Sequence, residues 1–138
     1  SLTIAMCNFD TTFHFISPDE LKLPSYVKQH IKDKKLDYYQ YRSIEEAIGK
    51  ADILYMTRVQ RERFADPIEY ERVKNSYILT KRHLKNCKEN MKVLHPLPRV
   101  NEIAEDVDKT PQAYYFQQAQ NGVYVRQALL STILGVTQ

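Results

Sequence analysis

The sequence predicts an α/β domain with a doubly wound, mostly parallel sheet and helices on both faces of that sheet. Short segments rich in β-forming residues alternate with segments of helical character along the chain, and this alternation is typical of parallel sheets. The apolar fraction of 43% is sufficient for a hydrophobic core. The length of 138 residues suits one domain. We therefore expect residues 1–138 to form a single domain.

Four segments have the composition of strands. They are short, apolar or aromatic, and bounded by polar residues, and they cover residues 12–16, 37–41, 51–56 and 91–94. The third is apolar enough to be buried on both of its faces. Ligands of parallel sheets bind beyond the carboxyl ends of the strands. The residues that follow the third and fourth strands are therefore the candidates for a site.

Helical segments fill the intervals between these strands. Residues 17–20 have the helix-start sequence Ser-Pro-Asp-Glu, with Ser17 as N-cap, and this helix is expected to reach about residue 34 with a break near Pro24. A short helix over 44–49 is expected between a Ser43 cap and Gly49. Further helices are predicted at 1–8, 68–75, 81–90 and 112–134, the last with an interruption near Gly122, and a polar loop is predicted at 102–110.

Composition excludes several classes of function. The net charge of +3 is too small an excess to indicate nucleic-acid binding. The longest apolar runs fall short of the roughly 18 residues of a membrane span. Cys7 and Cys87 form no CxxC pair and the four histidines are scattered, so no metal site is expected. The two cysteines are interpreted as free thiols in a reducing, cytoplasmic compartment.

The first segment that carries chemistry follows the third predicted strand and reads Tyr-Met-Thr-Arg-Val-Gln-Arg-Glu-Arg over residues 55–63. In extended backbone, Arg58 and Gln60 project to the same side. An arginine fork matches a carboxylate with two parallel hydrogen bonds, and Gln60 adds an amide donor and acceptor. Glu62 is placed to hold Arg58. Taken alone, such a segment is more often a charged surface turn.

The second segment follows the fourth predicted strand and reads His-Pro-Leu-Pro-Arg over residues 95–99. Pro96 and Pro98 lack N–H groups and restrict the residues before them to extended backbone, and the Leu97–Pro98 bond is eligible to be cis. These properties predict a stiff corner whose carbonyls are free to accept hydrogen bonds from a substrate amine. Taken alone, the segment is more often a rigid turn, and His95 is more simply a packing residue than a general base.

Together the two segments resemble the catalytic chain of the aspartate carbamoyltransferase family. Residues 55–60 are followed by His-Pro-Leu-Pro-Arg-Val-Asn-Glu-Ile at 95–103, and residues 107–108, 115–122 and 126–130 extend the likeness over essentially the whole chain. The resemblance implies a Rossmann-like fold. It also implies transfer of the carbamoyl group from carbamoyl phosphate to the α-amino group of L-aspartate in pyrimidine biosynthesis, with no metal or organic cofactor.

The resemblance also implies roles for individual residues. Arg58 and Gln60 would bind aspartate, while Pro96, Leu97 and Pro98 would form the corner that contacts carbamoyl phosphate through backbone carbonyls. Arg58 and Leu97 would make the catalytic contacts, and the Leu97–Pro98 bond would be cis. The supporting residues would be Glu62, Arg63, Arg99 and Glu102, of which the two glutamates would steady Arg58. Residues 61–70 would form a mobile loop that closes over the substrates.

Parts of the family's site are absent from these 138 residues. The carbamoyl-phosphate domain and its Ser-Thr-Arg-Thr loop are not found, nor is the Gly-Arg-Thr-Val-His stretch expected before Ser1. That stretch carries a second aspartate-binding arginine and the usual first central strand. We therefore expect the chain to be incomplete at its N-terminus and inactive alone. It is expected to act with a carbamoyl-phosphate domain in a homotrimer, without nucleic-acid or membrane partners.

Two alternatives remain open at this point. An ornithine carbamoyltransferase would share the fold, but its Ser-Met-Gly signature and His-Cys-Leu-Pro corner are absent, and Arg58 would repel the terminal ammonium of ornithine. A non-catalytic relative would keep the fold as an assembly or amino-acid-sensing module. Retention of Arg58, Gln60 and the corner at 96–98 argues against that second alternative.

Overall fold

The computed structural model describes residues 2–136, apart from the side chain of Arg63. Its strands are β1 (Phe13–Ile16), β2 (Tyr38–Tyr41), β3 (Ile53–Tyr55) and β4 (Lys92–Leu94). Its α-helices are α1 (Leu2–Met6), α2 (Ser25–Asp33), α3 (Pro67–Val73) and α4 (Tyr115–Leu134). Short 3-10 turns lie at Asp19–Leu21, Arg61–Arg63, His83–Asn86 and Glu105–Val107. Each predicted strand therefore contains an observed strand.

The strands pair in parallel, which confirms the predicted α/β class. β1 pairs with β2, with Phe13 opposite Tyr38, and β3 pairs with β4, with Ile53 opposite Lys92. The predicted single sheet is present as two separate two-stranded sheets, and no strand among residues 2–136 joins them. The pair β3–β4 matters for function because the two candidate segments follow these strands.

Two hydrophobic clusters support the two sheets. The larger one lies beneath β3 and β4 and includes the fully buried Leu79, Met91 and Val93, while the smaller one joins α1, α2 and β1.

The prediction that both faces of β3 are buried was wrong. Leu54 is buried, but its neighbours Ile53 and Tyr55 are 56% and 37% exposed, because the core covers only the Leu54 face.

Pro24 breaks the helix predicted from Ser17 to about residue 34, as expected, whereas the predicted start at Ser17 and Pro18 was wrong, because Pro18 is extended and precedes a 3-10 turn. The chain forms the turn Asp19–Leu21 and then begins α2 at Ser25, directly after Pro24. This confirms the break, since the fixed backbone of proline restricts the residue before it to extended geometry. The Ser17 side chain does not cap the turn, and its backbone N–H donates to the Tyr41 carbonyl at 3.2 Å.

Two predicted helices are replaced by turns, one wholly and one in part. Over 44–49 the chain forms turns, and the Ser43 hydroxyl donates to Glu46 Oε1 at 2.8 Å instead of accepting a helix N–H. Over 81–90 only His83–Asn86 is helical, as a 3-10 turn. His83 Nδ1 accepts the N–H of Thr80, the residue before this segment, at 3.0 Å.

The C-terminal half of the chain is more ordered than predicted. Residues 102–110 include the buried Ile103 and Val107 and are not merely a polar loop. α4 runs without interruption through Gly122 and ends at Gly135, whose φ of 67° is the left-handed conformation that glycine adopts easily. No helix within residues 2–136 is long and apolar enough to cross a membrane. Cys7 and Cys87 are free thiols, as predicted.

Candidate functional site

The two candidate segments leave the same edge of one sheet. β3 and β4 run in parallel, so their carboxyl ends lie side by side, and ligand sites of α/β folds form outside such ends. The Met56 N–H donates to the Leu94 carbonyl at 2.9 Å, which extends the pairing into the first segment and to the last residue before the second. The chain after Met56 and the chain after Leu94 therefore start as neighbours, although they are distant in sequence.

Arg58 stands on the exposed side of this edge with Glu62 beside it. Arg58 Nη2 donates to Glu62 Oε1 at 2.9 Å, and both side chains are about half exposed. The 3-10 turn Arg61–Arg63 brings Glu62 back toward Arg58. Gln60 precedes that turn in extended backbone and is partly buried. The contact predicted between Glu62 and Arg58 is therefore present, while the supporting role given to Arg63 concerns a side chain outside the described part of the structure.

The corner at residues 95–99 has an unusual backbone. The Leu97–Pro98 peptide is cis, as predicted, and Leu97 has a φ of 47°. That left-handed conformation is uncommon for a residue other than glycine and persists only where its surroundings hold it. The Leu97 side chain packs against the larger core, whereas Pro96 and Pro98 are exposed. The corner is thus anchored by leucine and presents both prolines outward.

His95 and Glu102 form a buried pair within this corner. His95 Nε2 and Glu102 Oε1 are 2.7 Å apart, and Glu102 Oε2 accepts the N–H groups of Val100 and Asn101 at 3.0 Å. Burial acts to raise the pKa of Glu102, but hydrogen bonds from backbone N–H groups and from His95 outweigh it, so this pKa lies below its ordinary value. The carboxylate of Glu102 is therefore bound to the corner and does not contact Arg58, contrary to the role implied for it.

Arg99 attaches the corner to the start of α4. Its guanidinium binds Asp108 through two hydrogen bonds, of which Nη2–Oδ2 measures 2.6 Å, and the Tyr115 hydroxyl also donates to Asp108. These hydrogen bonds from Arg99 lower the pKa of Asp108, against burial, and Tyr115 contributes further. Burial, followed by the bond to Asp108, raises the pKa of Tyr115 to about 12. Arg99 therefore supports the corner structurally.

Two further side-chain contacts hold the site and were missed from the sequence. Gln118 of α4 accepts the His95 N–H at 2.9 Å through Oε1. Asn101 donates from Nδ2 to Asn75 Oδ1 at 2.7 Å, which ties the corner to the residues after α3. Gln118, like Asp108 and Tyr115, lies in a segment that carries the family likeness. The likeness does not predict that Gln118 contacts His95, and nothing in the sequence indicated a role for Asn75.

A small cleft of about 70 Å³ lies where the two segments meet α3. Its lining combines Arg58 and Lys74, which are cations, with the Glu102 carboxylate that is bound to the corner. The other lining residues are Val59, Tyr70, Tyr77, Val100 and Asn101. Gln60 and residues 96–98 are not among them. The structure thus brings Arg58 and Glu102 to one cleft and places Gln60 and Leu97 outside its walls.

Known proteins resemble this chain over nearly all of its length. Residues 1–133 match the family model described as aspartate/ornithine carbamoyltransferase, Asp/Orn binding domain. An aspartate carbamoyltransferase catalytic subunit of Bacteroides thetaiotaomicron is 59% identical over an alignment of 138 positions, which covers 99% of this chain and 44% of the relative. One of Shewanella halifaxensis is 54% identical over 134 residues, which are 97% of this chain and 43% of the relative.

Solved structures give the same result. The catalytic subunit of M. jannaschii aspartate transcarbamoylase has a TM-score of 0.87 at 40% identity, over 99% of this chain and 44% of that one. Aspartate transcarbamoylase from Trypanosoma cruzi, in complex with carbamoyl aspartate and phosphate, has a TM-score of 0.75 at 32% identity, over 86% of this chain and 39% of that one. The chain thus spans less than half the length of the relatives that it matches.

Proposed function

The chain belongs to the aspartate/ornithine carbamoyltransferase family, and from this premise we propose that it is the aspartate-binding part of an aspartate carbamoyltransferase. One observation carries the proposal: Arg58, paired with Glu62, leaves the same sheet edge as the cis-proline corner at 95–99. An anion-binding fork and a row of backbone carbonyls are the two groups that an amino-acid acceptor and a carbamoyl donor need. The names of the relatives support the same activity.

The proposed reaction joins the aspartate nitrogen to the carbamoyl carbon. The α-amino group of L-aspartate attacks the carbonyl carbon of carbamoyl phosphate, a C–N bond forms, the C–O bond to phosphate breaks, and the amine loses a proton. The products are N-carbamoyl-L-aspartate and phosphate, an early step of pyrimidine biosynthesis. The chain's own contribution is to orient the reactants, and good placement alone supplies up to about 7–11 kcal/mol of the barrier.

Individual residues have distinct parts in this proposal. The Arg58 guanidinium would bind a carboxylate of aspartate through two parallel hydrogen bonds, and Gln60 would add an amide contact once the loop at 61–70 closes. The backbone carbonyls of the corner at 96–98 would accept hydrogen bonds from the carbamoyl amine. Glu62 would keep the fork of Arg58 in the plane that a carboxylate requires. Arg63 is proposed to support the same loop.

Charge favours aspartate over ornithine as the acceptor. Arg58 and Lys74 line the cleft, and the carboxylate of Glu102 in its wall is already bound to His95 and to backbone N–H groups. Both cations already have carboxylate partners, Arg58 with Glu62 and Lys74 with Glu71. The preference for aspartate therefore rests on the Arg58 fork, which matches a carboxylate and would repel a terminal ammonium. Because the chain spans 44% of its relative's length, the proposal includes a carbamoyl-phosphate domain. A homotrimer of complete chains and a cytoplasmic location are further parts of the proposal.

The test is steady-state kinetics of the full-length protein with Arg58→Ala. Loss of a charge-assisted fork is expected to lower kcat/KM for aspartate by about ten- to 150-fold, which corresponds to about 1.5–3 kcal/mol. The KM for carbamoyl phosphate should change little. Folding should also change little, because the Arg58–Glu62 pair is about half exposed and such pairs contribute roughly 0–1 kcal/mol.

Arg82→Ala is a matched control, because it removes an exposed arginine that lines neither the cleft nor the corner. It should leave both KM values unchanged. A parent protein that carbamoylates ornithine in preference to aspartate would refute the proposed acceptor. An Arg58→Ala variant with normal aspartate kinetics would remove Arg58 from the site.

A further inference from the structure

We propose that His95 is a positioning residue for the proposed carbamoyl transfer, because its imidazole sets the plane of the Pro96–Leu97 peptide. The inference rests on the proposed function and adds a residue to it. His95 lies at the carboxyl end of β4 and is 3% exposed. One of its ring nitrogens contacts Leu97 and the other contacts Glu102, so this side chain links two parts of the corner.

The hydrogen-bond partners determine which nitrogen carries the proton. The Leu97 N–H donates to His95 Nδ1 at 2.8 Å, so Nδ1 presents a lone pair and has no hydrogen. Nε2 lies 2.7 Å from the Glu102 carboxylate, which accepts and does not donate when ionised. The imidazole is therefore neutral, with its proton on Nε2. A proton on Nδ1 would place two donors against each other and break the contact with Leu97.

This contact has a direction that matters for the carbonyls. The cis bond among the residues described is Leu97–Pro98, so the peptide that joins Pro96 to Leu97 is trans. In a trans peptide the N–H and the C=O point in opposite directions. The Leu97 N–H points inward to the buried imidazole, so the Pro96 carbonyl points away from it, on the side where Pro96 is exposed. The hydrogen bond from the Leu97 N–H to His95 also stabilises the left-handed φ of Leu97. That φ in turn determines the direction of the Leu97 carbonyl.

Glu102 extends the link to the far side of the corner. Its second oxygen binds the N–H groups of Val100 and Asn101, so the chain of contacts runs from Leu97 through His95 and Glu102 to residues 100–101. Both ends of the corner are thereby held by one buried pair. Because both nitrogens of His95 are occupied and the ring is enclosed, His95 acts on the reaction through the backbone and not as a general base.

Two substitutions in the full-length protein test the two hydrogen bonds of His95 separately. His95→Asn places an amide oxygen near the position of Nδ1 and so keeps an acceptor for the Leu97 N–H, while it loses Glu102. His95→Gln places an amide N–H near the position of Nε2 and so keeps Glu102, while it loses the acceptor for Leu97. Each variant keeps one hydrogen bond, and His95→Asn is expected to lose more stability in urea unfolding because it gives up the charge-assisted bond to Glu102.

The kinetics should nevertheless differ. His95→Gln is expected to lower kcat/KM for carbamoyl phosphate by about hundred-fold, since a misplacement of about 1 Å in a reacting group has an effect of that size. His95→Asn is expected to stay within about three-fold of the parent, by the same argument, and the KM for aspartate should change least. If activity merely followed stability, His95→Asn would lose at least as much activity as His95→Gln, and that result would overturn the proposal.

His83 provides a matched control from the same chain. Its Nδ1 also accepts a backbone N–H, from Thr80 at 3.0 Å, and its Nε2 lies 3.0 Å from Glu45 Oε1. It lines neither the cleft nor the corner. His83→Gln removes the same kind of contact elsewhere and should leave kcat/KM for carbamoyl phosphate unchanged. An equal loss from His83→Gln and His95→Gln would refute a specific role for His95.

A measurement on the unsubstituted protein keeps the proposal testable if a variant does not fold. NMR of protein labelled with ¹⁵N-histidine distinguishes a proton on Nε2 from one on Nδ1, and the proton is expected on Nε2 of His95. A proton on Nδ1 would overturn the inference whatever the enzyme does. Absence of carbamoyl aspartate formation by the parent would refute the proposed reaction, and the positioning role with it. The NMR result would still report the geometry separately.

Discussion

Replacement of Asp108 by asparagine is expected to loosen the attachment of the corner to α4. Asp108 accepts two hydrogen bonds from the Arg99 guanidinium and one from the Tyr115 hydroxyl. Asn has the same shape but only one acceptor oxygen, and its NH₂ group would face the guanidinium donors. The substitution therefore removes charge and one acceptor without creating a cavity, so that any loss of stability is attributable to the network.

The size of the effect follows from the exposure of the pair. A charge-assisted hydrogen bond contributes about 1.5–3 kcal/mol, whereas a fully exposed ion pair contributes roughly 0–1 kcal/mol. The side chains of Arg99 and Asp108 are 19% and 26% exposed, so the pair lies between these limits. We expect Asp108→Asn to lower the free energy of unfolding by about 1–2 kcal/mol.

The pH dependence gives the sharper assay. Because the folded pKa of Asp108 is lowered, its stabilisation is fully present above the unfolded pKa of about 3.9. It is lost as pH falls through the folded value. Urea unfolding of parent and variant should therefore differ by a constant amount from about pH 5 to 8, and the difference should shrink below about pH 4.

Asp106→Asn is the matched control for this prediction. Asp106 lies on the neighbouring 3-10 turn and, within residues 2–136, its carboxylate accepts the Lys81 N–H alone, at 3.2 Å to each oxygen. Its substitution should have a smaller effect than that of Asp108. Equal unfolding energies for parent and Asp108→Asn, or a difference that keeps its full size at pH 3, would refute the reasoning.

Three further predictions concern other parts of the structure. The pKa of Tyr115 is raised to about 12, so the parent should lose stability as pH rises from about 10 to 12, and Tyr115→Phe should abolish this component of the loss in urea unfolding. Leu79→Ala, in the fully buried core, should lower the free energy of unfolding by about 2–5 kcal/mol. Asn75→Ala removes the 2.7 Å bond to Asn101 and should raise the KM for aspartate about two- to ten-fold, with an unchanged KM counting against it.

Local patterns in the sequence were sufficient for the strands and for part of the site. The strands could be located because short β-forming segments between polar residues seldom form another kind of structure. The Arg58–Glu62 contact could be predicted because one turn of chain brings residues four apart together. The cis bond at Leu97–Pro98 could be anticipated from residue type, with the family likeness pointing to the particular proline.

Contacts between distant residues could not be predicted in the same way. Glu102 was expected beside Arg58, but its carboxylate is bound to His95 and to backbone N–H groups. The partner of Arg99 is Asp108, with Tyr115 behind it, and nothing in the spacing of these residues specifies that arrangement. The periodic pattern over 81–90 predicted a full helix, but only the 3-10 turn His83–Asn86 forms there.

Parallel pairing of β3 with β4 also has a consequence for folding kinetics. The two strands are about forty residues apart in the sequence, and contacts of such long range form slowly because loop closure must precede them. Arg58 and the proline corner can approach each other only after this pairing. The Met56 amide, which donates to the Leu94 carbonyl at the end of the pair, should therefore be a local reporter. Its protection in pulse-labelling hydrogen exchange during refolding would record when the two halves of the site first meet.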